Sequence, residues 1–120
     1  MNKLTLAVAA SLFAIAGTSA HAADLAAGQE AFQKYTCATC HGADGKTSTL
    51  PTYPILAGQH ADYLAHALKT YKRGQAGAPA TANVRKNAVM GAMVQQLSNA
   101  DIENIAAWLA SLPSPLSISK

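Results

Sequence analysis

Apolar and polar positions along this chain repeat with the period of helices. No stretch shows the strict apolar alternation of a half-buried strand. The first amphipathic run follows Asp24, a good N-cap, and predicts a helix over 25–35. Leu25, Phe32 and Tyr35 share one side of it, with Gly28 one turn before Phe32. Residues 42–59 contain Gly42, Gly45, Pro51, Pro54 and Gly58 and read as a loop. A loop that long in a compact domain is often functional, here as chain wrapped around a cofactor. A second helix is predicted over 60–73. Leu64, Ala67, Leu68 and Tyr71 form its apolar stripe, Lys72 and Arg73 suit its C-terminal end, and Gly74 ends it. Residues 75–96 are less regular, with a short helical turn expected over 83–89 and with Met90 and Met93 near the end. The last helix carries the clearest signals. Ser98 is an N-cap, Asp101 stands three residues on in a capping-box arrangement, and Pro113 stops the helix. Ile102, Ile105, Ala106, Leu109 and Leu112 fall on one face, and the tail 114–120 is expected to be loosely held. The expected fold class is all-α: three main helices and long loops around a cofactor.

The N-terminal pattern is of another kind. Lys3 precedes an apolar or small run over 4–16, and Ala20-His21-Ala22 follows as a small-x-small cleavage site. This is the layout of a secretory signal peptide, residues 1–22, which leaves one domain over 23–120. The run is too short for a spanning helix, which needs about 20 apolar residues. Eight basic and six acidic residues remain after cleavage, with no basic stripe. Nucleic-acid binding therefore has little support, and no membrane span is expected after the signal.

The two cysteines carry the chemistry. Cys37-Ala38-Thr39-Cys40-His41 is a Cys-x-x-Cys-His run. Two thiols separated by two residues can each add to one vinyl group of haem, and the next residue then supplies an axial nitrogen. A thioredoxin-like dithiol would sit near a βαβ pattern, and none is visible. A zinc site would need a second ligand pair, yet His60 and His66 are the only other histidines after residue 22. Haem c and its iron are therefore the expected cofactor, with His41 as proximal ligand. Met90, Met93, His60 and His66 are candidates for the other axial position. His66 falls off its helix's apolar stripe, and His60 suits a helix start. Spacing alone divides the choice between the two methionines.

These residues resemble the class I c-type cytochromes of the small soluble bacterial type, in particular one domain of the dihaem periplasmic cytochromes. The likeness runs in order through Gly28-x-x-x-Phe32, Cys37 to Gly45, Pro54 to Gln59, Tyr63-Leu64, Tyr71 to Gly74, Arg85-Lys86, Met90, Met93 and Leu97 to Ile102. The resemblance implies a cytochrome c fold with Cys37 and Cys40 as thioether attachments. It implies Met93 as the sixth ligand, since that residue stands five before Ser98. It also implies that Met90 lines the haem pocket, that the Pro54 carbonyl accepts the free N–H of His41, and that Gly28 and Phe32 cross the last helix near Trp108 and Leu109. Unlike the dihaem relatives, these 120 residues hold a single Cys-x-x-Cys-His.

The expected function is one-electron transfer in the periplasm, between respiratory or dehydrogenase partners, with both axial ligands kept in each oxidation state. No nucleophile–base pair is visible, so an enzyme is not expected. The alternative is a cytochrome subunit of a dehydrogenase or oxidase complex. Lys34, Lys46, Lys69, Lys72, Arg73 and Lys86 are candidates for a docking surface.

Overall fold

A computed structural model describes residues 22–116. The expected signal peptide lies outside them except for Ala22, as does the end of the tail from 117. The order is α1 (Leu25–Lys34), α2 (Ala38–His41), α3 (Ala61–Gln75), a 3-10 turn (Ala80–Ala82), α4 (Ala88–Val94) and α5 (Asn99–Ser111). No strand occurs among the described residues. The all-α class expected from the periodicity is the one that forms, with α1, α3 and α5 as its long helices.

Asp24 caps α1 by accepting from the Ala27 N–H at 3.0 Å. The helix buries Gly28, Ala31 and Phe32 against α5. Gly28 is required there, since a Cβ would overlap the Asn104 carbonyl oxygen. Beside it the Phe32 and Trp108 rings stack at 5.0 Å, tilted by 50°. Two bonds pin the ends of the crossing. The Asp24 N–H donates to Asn104 Oδ1 at 2.9 Å, and the Tyr35 hydroxyl donates to Asp101 Oδ2 at 3.2 Å. Leu25, expected on the inner side, lies one turn outside this crossing and is 47 % exposed.

Both halves of the α5 capping box form. The Asp101 N–H donates to Ser98 Oγ at 3.0 Å, and the Ser98 N–H returns to Asp101 Oδ2 at 2.8 Å. Behind this cap, α5 buries Ile102, Ile105, Ala106, Trp108 and Leu109. They join Phe32, Leu64, Val94 and Leu97 in one core cluster, with α1 and α3 packed on α5 and α4 packed on α3.

Helix α3 departs from expectation in two ways. Its buried side includes Ala65 and Thr70 as well as Leu64, while Ala67 is half-buried. Thr70 can be buried because its hydroxyl donates to the Ala67 carbonyl at 2.7 Å, which satisfies the polar group locally. The helix also runs past Gly74 to Gln75. Gly74 serves close approach instead of termination, for a Cβ there would overlap the Arg85 carbonyl oxygen. The chain turns at Gly77, whose φ of +85° suits a residue without a Cβ.

The segment 83–96 is the largest correction. The helical turn expected over 83–89 does not form. A 3-10 turn precedes it at Ala80–Ala82, Asn83 is left-handed, and helix α4 starts at Ala88. Asn87 starts it, since its Oδ1 accepts from the Val89 and Met90 N–H groups at 3.0 and 2.9 Å. Met90 and Met93 are therefore helical residues.

Candidate haem site

The end of α1 aims the cysteine pair. The Thr36 N–H donates to the Gln33 carbonyl at 2.9 Å, and the Cys37 N–H to the Phe32 carbonyl at 3.1 Å. This double bond pattern is a Schellman ending, and it forces Thr36 to φ +58°. The chain then turns directly into α2, where Cys37 is the N-cap with helical dihedrals. Its carbonyl accepts from the Cys40 and His41 N–H groups at 3.3 and 3.1 Å. Cys37 and Cys40 thus share one side of a single turn, three residues apart, with His41 closing it.

His41 is 6 % exposed. Its Nδ1 lies 3.2 Å from the Pro54 carbonyl oxygen. A carbonyl can only accept, so Nδ1 carries the proton and Nε2 keeps its lone pair. Burial pushes the imidazole below its ordinary pKa, against the opposing pull of Pro54, so the ring is neutral at pH 7. The Tyr53 ring lies 6.1 Å from the imidazole. The loop that brings Pro54 here is tied at several points. The Thr49 N–H donates to the Cys40 carbonyl at 3.0 Å. The Leu56 and Ala57 N–H groups donate to the Gly45 carbonyl at 2.8 and 3.0 Å, and the Gly58 N–H donates to the Leu109 carbonyl of α5 at 2.9 Å.

Both cysteines are half-buried. Burial raises the Cys37 thiol above its ordinary value. A working redox dithiol needs the opposite, a stabilised thiolate at its first cysteine. Among the described residues no three His, Cys, Asp or Glu side chains converge on a common metal position. The donor set fits haem instead: two thiols on one turn for covalent attachment, and a buried neutral imidazole with a free Nε2.

The remaining candidates separate by place. His60, at the N-cap of α3, and His66 are exposed, and His66 Nε2 lies 3.4 Å from Asn83 Nδ2. Met90 and Met93 sit three residues apart on α4, so they share a face of that helix. Both are half-buried, but Met90 packs against the core cluster and Met93 is not among the residues that do. The sequence reading missed the Asn87 cap, although an Asn before an apolar run is a legible signal. It named Arg85, Tyr63 and Tyr71 in the likeness but gave them no role, because Arg85 stands in the loop before α4 and meets the two rings of α3 only in the fold.

Comparison with known proteins agrees with this geometry. The family model for cytochrome c matches residues 25–113. The chain is similar to cytochrome c-554(548) of Halomonas halodenitrificans, at 43 % identity over 93 residues, covering 75 % of this chain and 98 % of that protein. It is 39 % identical to cytochrome c4 of Stutzerimonas stutzeri over 112 residues, covering 92 % of this chain and 51 % of that protein. The fold superposes on the crystal structure of reduced recombinant cytochrome c4 from Pseudomonas stutzeri with a TM-score of 0.67 and 41 % identity, covering 77 % of this chain and 47 % of that one. The chain thus spans about half the length of cytochrome c4. It belongs to the cytochrome c family, and its cofactor is covalently bound haem c with its iron, carried for electron transfer.

Proposed function

We propose that residues 23–120 form a monohaem carrier of single electrons, exported to the periplasm by residues 1–22. Cys37 and Cys40 hold the haem as thioethers, His41 Nε2 is the proximal ligand, and Met93 Sδ is the sixth. Pro54 orients His41, and Met90 lines the pocket. Its partners are redox proteins that give and take one electron. The observation that carries this reading is the His41–Pro54 hydrogen bond at 3.2 Å. It fixes the tautomer on a buried ring beside a cysteine pair. The packing of α4 supports the assignment of Met93. Met90 is already engaged with the core cluster, while Met93 lies one turn along the same face outside it. No helix among the described residues is long and apolar enough to cross a membrane.

Bound haem would supply the redox chemistry, and His41 and Met93 are the residues that would hold its iron in both oxidation states. Optical spectra of two variants test the assignment. Met93→Ala is expected to lose the methionine charge-transfer band of the ferric protein and to bind carbon monoxide readily when reduced. Met90→Ala is expected to keep the band and to exclude carbon monoxide. Loss of the band in Met90→Ala alone would reverse the assignment. Ready carbon monoxide binding by the unaltered protein would favour a gas-binding role over a carrier.

A further inference from the structure

The segment that bears the two methionines leans on α3 at both ends, and its first anchor is an arginine held between two tyrosines. The Arg85 guanidinium lies 5.4 Å from the Tyr63 ring centroid and 5.7 Å from that of Tyr71. Its Nη2 donates to the Tyr63 hydroxyl at 3.1 Å. The backbone of the same residue is seated too. Its N–H donates to the Thr70 carbonyl at 3.2 Å, and its carbonyl rests against Gly74, where a side chain would collide. At the far end the Lys72 ammonium donates to the Leu97 carbonyl, and Gln95 Nε2 donates to the Lys72 carbonyl at 3.2 Å. Between the anchors, Gly91 is buried against the Gln75 side chain.

We propose that Arg85, clamped between Tyr63 and Tyr71, is a positioning residue for the sixth iron ligand, fixing α4 and Met93 against α3. The proposal rests on the reading of Met93 as that ligand. Three features carry it. First, α4 has seven residues, too few for a helix to hold its own place, so its position is set by its docking. Second, Met93 lies outside the core cluster, so the segment's anchors decide where its sulfur stands. Third, the contact uses what only arginine offers: a planar cation that stacks on aromatic faces while donating along its edge. The ring contacts and hydrogen bond join residue 85 to two turns of α3, eight residues apart, so one side chain fixes both translation and tilt. Tyr63 is 49 % exposed, more than a tyrosine placed only to fill the core.

The consequence is quantitative. A loosened anchor raises the fraction of molecules in which the methionine is off the iron, and an external ligand binds only that fraction. Its apparent affinity rises in proportion. Imidazole titration of the ferric holoprotein reads this fraction directly, with the methionine charge-transfer band as a second readout. Arg85→Gln is expected to raise imidazole affinity about tenfold and to weaken the band, the size usual for a residue acting through others. Arg85→Lys keeps the charge but loses the planar fork, so it should fall between. Lys69→Gln, a substitution on α3 like those of the two tyrosines, breaks the exposed ion pair with Glu103 of α5 and should leave both readouts at their original values. If Arg85→Gln does not fold, Tyr63→Leu decides, because it removes one exposed ring and should raise imidazole affinity in the same direction. Original affinity and band in Arg85→Gln, or in Tyr63→Leu where that variant decides, overturns the proposal, and so does an equal rise in Lys69→Gln. Met93→Ala in the same titration separates the two questions. A band that survives there refutes the ligand assignment itself, whereas a band lost there and unmoved in Arg85→Gln refutes only the role of Arg85.

Discussion

Asp44 stands three residues after His41 and gathers the turn that follows it. Its Oδ2 accepts from the Thr47 hydroxyl at 2.7 Å, and its Oδ1 accepts from the Thr47 and Lys46 N–H groups at 2.8 and 3.0 Å. The Thr47 hydroxyl is the largest of the causes that depress its pKa to about 2. All three bonds favour the charged carboxylate, so a folded-state value below the unfolded one means stabilisation by ionisation. That contribution is complete above the ordinary aspartate value of about 3.9 and is lost as pH falls through the depressed value. Thermal unfolding of the holoprotein and of Asp44→Ala should therefore differ near neutral pH and converge between about pH 4 and about pH 2. The comparison is needed because other carboxyls titrate there, including Asp101, which the Ser98 hydroxyl also holds below its ordinary value. A constant difference down to pH 2 would refute the claim that charge at residue 44 pins this turn.

The join between α1 and α2 stores strain that can be removed. Thr36 is β-branched and left-handed, in the position of a Schellman ending where glycine is commonest. A side chain there costs about 1–2 kcal/mol, while glycine gives back about 0.5–1 kcal/mol in backbone entropy. Thr36→Gly is therefore expected to stabilise the holoprotein by about 0.5–1 kcal/mol in denaturant unfolding, without altering its spectrum. An unchanged or lower midpoint would show that the ending is unstrained. The same element scale marks where the sequence was legible. Helices α1 and α5 could be read because their caps, Asp24 and Ser98, act on their own first turns. The end of α3 was misread because Gly74 answers to the distant Arg85 carbonyl, which no local pattern reports. The four-residue α2 gave no periodic signal at all, since a single turn cannot show a stripe.

At the scale of the molecule, the motif exposed the attachment site, and only folding brings Pro54 to His41 across thirteen residues. The resemblance implied that contact, but nothing in the sequence implied the arginine clamp, since Arg85 stands in the loop before α4 and its two rings lie on α3. The core holds these distant pieces together unequally. Phe32, Leu64, Val94, Ile102, Trp108 and Leu109 pack the helices on one another. Across residues 42–59, only Ala57 is a buried apolar residue, with Leu56 packed at the cluster's edge. Ordering a loop residue costs about 1–2 kcal/mol in backbone entropy, and the hydrogen bonds to Cys40, Gly45 and Leu109 offset about 1 kcal/mol each. That leaves the loop in deficit unless the haem supplies its apolar contact. A domain this small has little margin elsewhere to cover the shortfall. The double variant Cys37→Ser, Cys40→Ser, which cannot attach haem, should therefore keep part of its helical far-ultraviolet dichroism. It should lose the near-ultraviolet signal of fixed aromatic packing and melt without a cooperative transition. A colourless double variant with sharp melting and an intact near-ultraviolet spectrum would place the folding energy in the three-helix core alone.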